Sequence, residues 1–438
     1  MRLSRVLRGA AILGWIAILP NDVQSEPLFE APFLGFSSDG IGGPSHVAHA
    51  DLNADGHQDL VVCHPLGADP PPQPDRAVIW LGNGDGTFRE ASFIPFMDAR
   101  CAAIGDLNGD GKPDLAIAGG DQVLIALGHG DGTFSNLVIP YGQQLTSCAL
   151  ADMDRDHQLD LVTCSASSQV VSIRRGNGDG TFSAFKTDYP AGERPFQVAV
   201  ADLNADGVPD VVTPNSPFSM ASAVSVFLGT RTGSLAPRTD YAMTSCAYVA
   251  IGDVNEDGQP DIAVNSNFTN EVAVLLNDGT GAFTPGPTIA TFGPPRGIVL
   301  ADLNEDGHQD LAVDLSPSVP GLEVHLGTGP GTFQSATRWV TSDTPTFLDD
   351  GDFNDDGHVD LLVVGGGSDT YGFSVMLGDA NGGFGIQRHF STAGHPVDIE
   401  TGDLDGDGQV DLAVACTAGM ISVGLGIGGG AFGPTTNV

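Results

Sequence analysis

Basic residues are scarce in this chain. Lys and Arg number 17 against 55 Asp and Glu in 438 residues, giving a formal charge of −38 at pH 7. So acidic a chain repels nucleic acid and anionic lipid, both of which need basic patches. Apolar stripes at helical spacing are missing too, which excludes a helical bundle. The six cysteines, Cys63, Cys101, Cys148, Cys164, Cys246 and Cys416, contain no C-x-x-C pair and have no His-rich partner, so a zinc or thiol-redox site is not supported. There is no H-E-x-x-H, no G-x-S-x-G, and no dinucleotide or P-loop fingerprint, so no catalytic residue is assigned.

The one long apolar run is Gly9 to Pro20. Arg2, Arg5 and Arg8 precede it, and Val23-Gln24-Ser25 follows before Glu26. This pattern reads as a secretory signal over residues 1–25, with a mature chain over 26–438 that is secreted, either extracellular or periplasmic. About 12 apolar residues fall short of the roughly 20 a spanning helix needs, so no membrane span is expected in the mature chain.

What is abundant is a single motif. Asp51–Leu60 reads DLNADGHQDL, and near copies begin at Asp106, Asp152, Asp202, Asp253, Asp302, Asp352 and Asp403. A signature returning about every fifty residues indicates repeat architecture. Around each copy an apolar lead-in such as Gln197–Ala201 enters the loop, and a β-branched run such as Asp210–Thr213 leaves it. An alternating segment such as Ala223–Leu228 follows, and the unit closes on a glycine-rich turn such as GNGDGTF. Period-two alternation bounded by Gly, Asn and Asp predicts four short antiparallel strands per unit, here named A to D. Four strands cannot bury both faces alone, whereas sheets stacked radially can. The expected fold is all-β: a β-propeller of eight four-stranded antiparallel blades in one domain, the alternative being seven blades plus a remnant. The apolar segment Leu28–Phe36 is a candidate edge strand fastening the last blade to the first.

Acidic or amide side chains fill the first, third, fifth and ninth loop positions, and glycine fills the sixth. Calcium takes six to eight oxygens, so four side chains, the carbonyl at position seven and water form a suitable shell. The expected ligands are Asp51, Asn53, Asp55 and Asp59; Asp106, Asn108, Asp110 and Asp114; Asp152, Asp154, Asp156 and Asp160; and Asp202, Asn204, Asp206 and Asp210. They continue with Asp253, Asn255, Asp257 and Asp261; Asp302, Asn304, Asp306 and Asp310; Asp352, Asn354, Asp356 and Asp360; and Asp403, Asp405, Asp407 and Asp411. Up to eight Ca²⁺ ions are expected, one per repeat. The third loop departs most, with His157 in place of the glycine. An EF-hand is excluded because position twelve of the first loop is Val62 and the flanks are strands. His57, His308 and His358 stand at position seven, where the carbonyl ligates, and their rings read as exposed. Cys148 and Cys164 flank the third loop as candidates for a cross-hairpin disulfide, small buried hydrophobes being the other reading.

The loops DLNADGHQD, DLNGDGKPD and DVNEDGQPD, each followed by apolar residues and then G-x-F, resemble FG-GAP or VCBS-type repeats, as in the propeller of integrin α-subunits. That resemblance implies a calcium-binding propeller but leaves function open, since such propellers serve as adhesion modules, lectins and polysaccharide lyases. The reading favours a binding or adhesion module for an extracellular glycan or protein, with ligands on the irregular face opposite the calcium loops. Phe96, Tyr141, Tyr189, Tyr241 and Trp339, with Arg100, Arg194 and Arg296, are expected on that face, either meeting sugars or capping blade edges. The alternative is a calcium-dependent polysaccharide lyase acting on acidic glycans.

Overall fold

A computed structural model describes residues 46–55, 59–64, 76–82, 88–96, 98–215, 222–246, 248–266, 268–315, 321–339, 345–351, 358–366, 371–379, 381–391, 396–402, 404–405, 409–416, 420–426, 432 and 436–437. The signal region and Leu28–Phe36 lie outside the described residues.

The alternating segments form strands because period two places one set of side chains on each face of a sheet. In the second repeat these are Ala99–Gly105 (A), Asp114–Gly119 (B), Gln122–Gly128 (C) and Phe134–Pro140 (D), paired antiparallel in the order A-B-C-D. The described residues form eight such four-stranded sheets, over 46–95, 99–140, 147–190, 199–243, 249–290, 295–339, 345–391 and 396–437. Strand D of the eighth sheet is Thr436–Asn437, which pairs with Ser422 and Val423 of its own strand C.

Strand A packs against strand A of the neighbouring sheet at most joints, and that of the eighth sheet returns to the first. This is β-propeller architecture, as the repeat pattern predicts. The core is accordingly a series of sheet-on-sheet interfaces. Leu115 and Ile117 of the second sheet pack with Val61, Ile79 and Leu81 of the first, while Ala116 and Ala118 face Cys148 and Leu161 of the third. Strand B is therefore buried at all six residues in each of sheets two to six. Burial on both faces explains the continuous apolar runs after each loop. Each Val, Leu or Ile buried there contributes about 1.5–3 kcal/mol.

The glycine of the closing turn fits between sheets. Gly180 has φ 77°, and a Cβ there would stand 2.5 Å from both Leu127 methyls of the preceding sheet. Gly132 against Leu81, Gly281 against Leu228 and Gly382 against Leu326 repeat the arrangement. A residue with a side chain fits neither the positive φ nor the gap.

Cys148 pairs across the hairpin with Thr163, and Cys164 with Ser147. Neighbouring positions on a strand point to opposite faces. Cys148 accordingly lies in the core shared with the second sheet and Cys164 in that shared with the fourth, which rules out the disulfide that is one of the two readings of this pair.

Candidate functional site

The A–B loops are built by their own carboxylates. In the second repeat, Asp106 Oδ1 accepts from the amides of Gly109 (2.7 Å) and Asp110 (3.2 Å), and its Oδ2 from Gly111 (2.8 Å). Asn108 Oδ1 accepts from the Asp110 amide at 2.9 Å, and Asp110 Oδ1 from Lys112 at 3.0 Å. Asp202, Asn204 and Asp206 repeat this pattern, as do Asp253, Asn255 and Asp257, and Asp302, Asn304 and Asp306. In the first loop Asp55 donates to both Asp51 and Asn53. Short polar side chains that accept from amides ahead of them are the ordinary makers of tight turns.

Position four is left-handed in every loop where φ is defined, at Ala54, Gly109, Arg155, Ala205, Glu256 and Glu305. No residue type marks this conformation in advance, because alanine, arginine and glutamate occupy most of those positions. Position six is left-handed as expected, and His157 takes it with φ 66° beside Gly207 at 77° and Gly258 at 84°. The third loop thus keeps the common shape despite losing its glycine.

Position nine has a second role. Asp210 is fully buried; its Oδ2 accepts from the Leu203 amide at 2.8 Å and its Oδ1 from the Gly229 amide at 2.6 Å. Asp59, Asp114, Asp160, Asp261, Asp310, Asp360 and Asp411 are buried alike, and the pairing of loop to closing turn is complete at Asp114, Asp160, Asp261, Asp310 and Asp411. Burial pushes Asp160 and Asp210 up to about 7, against the opposing amide hydrogen bonds, and Asp261, Asp310 and Asp411 up to about 6. The carboxylates at positions one and five add to this rise at Asp210 and Asp310. Each loop thus concentrates negative charge that a cation would relieve.

Among the described residues, three acids come within ligand reach of one another in the third loop. Oxygens of Asp152, Asp154 and Asp156 lie within 4.8 Å of one another, and Asp154 Oδ1 is buried with no hydrogen-bond partner. Hard oxygen donors, one of them unsatisfied, fit Ca²⁺. Asp154 Oδ2 meets Arg175 Nη1 at 3.0 Å. Other repeats carry Leu where Arg175 stands, and Asn where Asp154 stands in all but the eighth. The additional carboxylate and the additional cation occur together. Asp352, Asn354, Asp356, Asp403 and Asp407 lie outside the described residues.

Of the seventh-position histidines, His57 lies outside the described residues, and His308 and His358 are not simply exposed. His308 Nδ1 contacts Glu256 of the preceding loop, and His358 Nδ1 reaches Glu305 Oε1 at 2.5 Å. The hydrogen bond to Glu256 raises His308 above the ordinary imidazole range.

The aromatic candidates prove to be wedges between sheets. Tyr141 and Phe96 are buried, Tyr189 stands edge-on to Phe227 and Trp339 edge-on to Phe384, and the Tyr241 hydroxyl accepts from the Phe283 amide at 2.9 Å. Arg100 pairs with Asp98 at 2.8 Å. Residues 65–75 and 316–320, in connections of the irregular face, lie outside the described residues.

A different group emerges between the fifth and sixth sheets. A crevice of about 770 Å³ is lined by Pro287 to Phe292 on one side and by Glu323, His325, Gly331 to Ala336 and Arg338 on the other. Glu323 and His325 alternate on one face of a strand C and are 2% and 3% exposed. Both Glu323 oxygens accept from the Phe292 amide at 3.1 Å, and His325 Nε2 stands 3.8 Å from Glu323 Oε2. Phe292 is 69% exposed, and the Arg338 guanidinium lies 4.5 Å over its ring. Aligning the repeats on the end of strand C shows the signal: Glu323 stands where the other repeats have Val78, Leu124, Ser172, Ser225, Ala273, Ser374 and Ser422.

Comparison with known proteins gives matches to a repeat family, to one curated relative and to solved structures. A profile of the FG-GAP-like repeat matches residues 51–117, 106–163, 161–213, 253–313 and 352–414. Integrin alpha-7 of Homo sapiens is 32% identical over 97 residues, covering 19% of this chain and 8% of that protein, so the match spans only a small part of the relative. Among solved structures, an Agrocybe aegerita lectin described as specifically recognising non-reducing terminal N-acetylglucosamine is 20% identical with a TM-score of 0.49, covering 79% of this chain and 94% of the lectin. A protein from Lactobacillus plantarum is 17% identical with a TM-score of 0.48, covering 73% and 93%. The repeated loops, their strand frame and the profile matches together place the chain in the FG-GAP-like repeat family.

Proposed function

We propose that this protein is a secreted, calcium-stabilised β-propeller of eight blades that binds an extracellular glycan, using the crevice between its fifth and sixth sheets. The observation that carries the binding reading is the buried Glu323 and His325 pair lining an open crevice beside an exposed Phe292. Ligand sites combine an apolar or aromatic wall with a few fixed polar groups. Here the Phe292 ring offers a stacking surface, and Arg338 and Glu323 offer a charged donor and an acceptor. The crevice runs along the flank between two sheets, from the D–A connection at Phe292 to the closing turn at Gly331. It is not confined to the face opposite the acidic loops.

Calcium would be held by positions one, three, five and nine of each loop together with the position-seven carbonyl, the buried Asp at position nine also tying the loop to the closing turn. Bound there, the ion neutralises the clustered carboxylates and holds the loop against the closing turn. With free calcium at ten to a hundred times Kd, each site would stabilise the fold by roughly 1.4–2.7 kcal/mol.

The test is a glycan array probed with the mature chain in calcium, repeated with Phe292→Ala and Arg338→Ala. Binding that both substitutions weaken tenfold or more supports the reading. An array without hits, or hits untouched by either substitution, refutes it.

A further inference from the structure

Two thiols of neighbouring sheets meet in the core. Cys101 belongs to Ala99–Gly105, strand A of the second sheet, and Cys148 to Ser147–Ala151, strand A of the third. Both are fully buried, and their Sγ atoms stand 2.8 Å apart. Each is held by its own ladder, Cys101 opposite Ala118 and Cys148 opposite Thr163. The two sulfurs approach each other because the strands carrying them pack face to face.

Cys164 and Cys246, also buried, have different surroundings. Cys164 Sγ lies 3.1 Å from the Thr146 hydroxyl, and Cys246 Sγ lies 3.2 Å from the carbonyls of Asn215 and Ala223. Among the described residues no three metal-ligating side chains gather around a cysteine, so the pair does not belong to a metal site. Contact with Cys101, together with burial, holds the Cys148 thiol well above its ordinary range, which removes it as a nucleophile in the folded state.

We propose that Cys101 and Cys148 form a disulfide that joins the second sheet to the third. The oxidant is an external disulfide. The thiolate of one cysteine attacks a sulfur of that disulfide and expels one thiolate, and the second cysteine attacks the mixed disulfide and expels the other. Two protons and two electrons leave the pair, and two small thiols are formed. Because both sulfurs are buried, exchange takes place before the two sheets dock or when they part. The bond ties two adjacent blades along their innermost strands and closes a chain segment that contains the whole second acidic loop. Formation in the organism rests on the reading of a secreted protein, since only oxidising compartments sustain such bonds; the pairing itself rests on geometry alone.

The experiment is refolding of the full mature chain in a glutathione and glutathione-disulfide buffer, then alkylation under denaturing, non-reducing conditions and peptide mapping. The expected result is one linked peptide pair containing Cys101 and Cys148, neither of them alkylated, and a melting temperature several degrees above that of the reduced chain. Cys101→Ala should leave Cys148 alkylated. Alkylation of both residues in the wild-type chain, or a link from either to another cysteine, would overturn the proposal. A chain isolated with reduced thiols that nevertheless links these two in the buffer would count against secretion and for the pair.

Discussion

The Gly180 amide, in the closing turn of the third sheet, donates to the Leu107 carbonyl in the acidic loop of the second at 2.9 Å. Gly132 to Leu52 and Gly331 to Val254 repeat this bond between neighbouring sheets. These three acidic loops are therefore parts of joints, and whatever fixes such a loop also fixes the next sheet.

Substitution of the joint glycine tests this. Gly180→Ala adds an overlap with Leu127 to an unfavourable positive φ, whereas Gly142, at φ 70°, has open space where its Cβ would go. Gly142→Ala should cost about 1 kcal/mol and Gly180→Ala about 2–4 kcal/mol. Urea unfolding midpoints would show the difference, and equal losses would mean that the joint carries no particular load.

The buried Asp at position nine makes a second test. Asp210→Asn keeps one acceptor but turns an amide group toward a backbone N–H, either at Leu203 or at Gly229. The expected loss is about 2–4 kcal/mol, as for other buried groups deprived of a charged hydrogen-bond partner. Calorimetry with calcium in excess would measure it.

The third loop balances an additional carboxylate against Arg175. With calcium removed, Arg175→Leu should destabilise the fold by no more than about 1 kcal/mol, because the pair is partly exposed. With calcium present the loss should vanish, since the ion takes over the role of the guanidinium. Melting curves with chelator and with calcium compare the two conditions, and a loss that persists in calcium would contradict metal binding at this loop.

Asp314 supplies a pH signature away from the loops. It is fully buried in strand B of the sixth sheet, and burial pushes it up to about 7 despite the nearby Arg296 and the Gly297 amide. Between its unfolded value near 4 and 7, the folded state holds a proton that the unfolded state has released, so stability falls as pH rises through this window. Asp314→Asn should remove that slope, narrowing the difference in stability between pH 5 and pH 8 by about 1–4 kcal/mol. Chemical denaturation at the two pH values, in calcium, reads the change.

Much of the fold was legible in the sequence because each repeat states its strands twice, once in period-two alternation and once in the turns between them. Leu115 to Ala118 show why the B strands read as unbroken apolar runs: both faces meet a neighbouring sheet. The polar side chains that build each acidic turn were legible for the same reason of repetition. The left-handed residue at position four was not, since Ala54, Arg155 and Glu256 carry no mark of it. The aromatics stayed open between sugar contact and edge capping because a Tyr or Trp on an outer strand looks the same in sequence whether it faces solvent or the adjacent sheet, as Tyr241 does. The Cys148 and Cys164 pairing failed on parity, for equal distances from a loop do not place two residues on one face. Glu323 and His325 were visible only by comparing repeats with one another.

The central claim is that cations complete the acidic loops and thereby hold neighbouring sheets together. Melting of the mature chain in saturating calcium and again after chelation, with elemental analysis of the calcium-equilibrated sample, tests it directly. The account predicts several bound calcium ions per chain and a melting temperature that drops by ten degrees or more when they are removed. Superimposable melting curves, or a calcium content near zero, would contradict it.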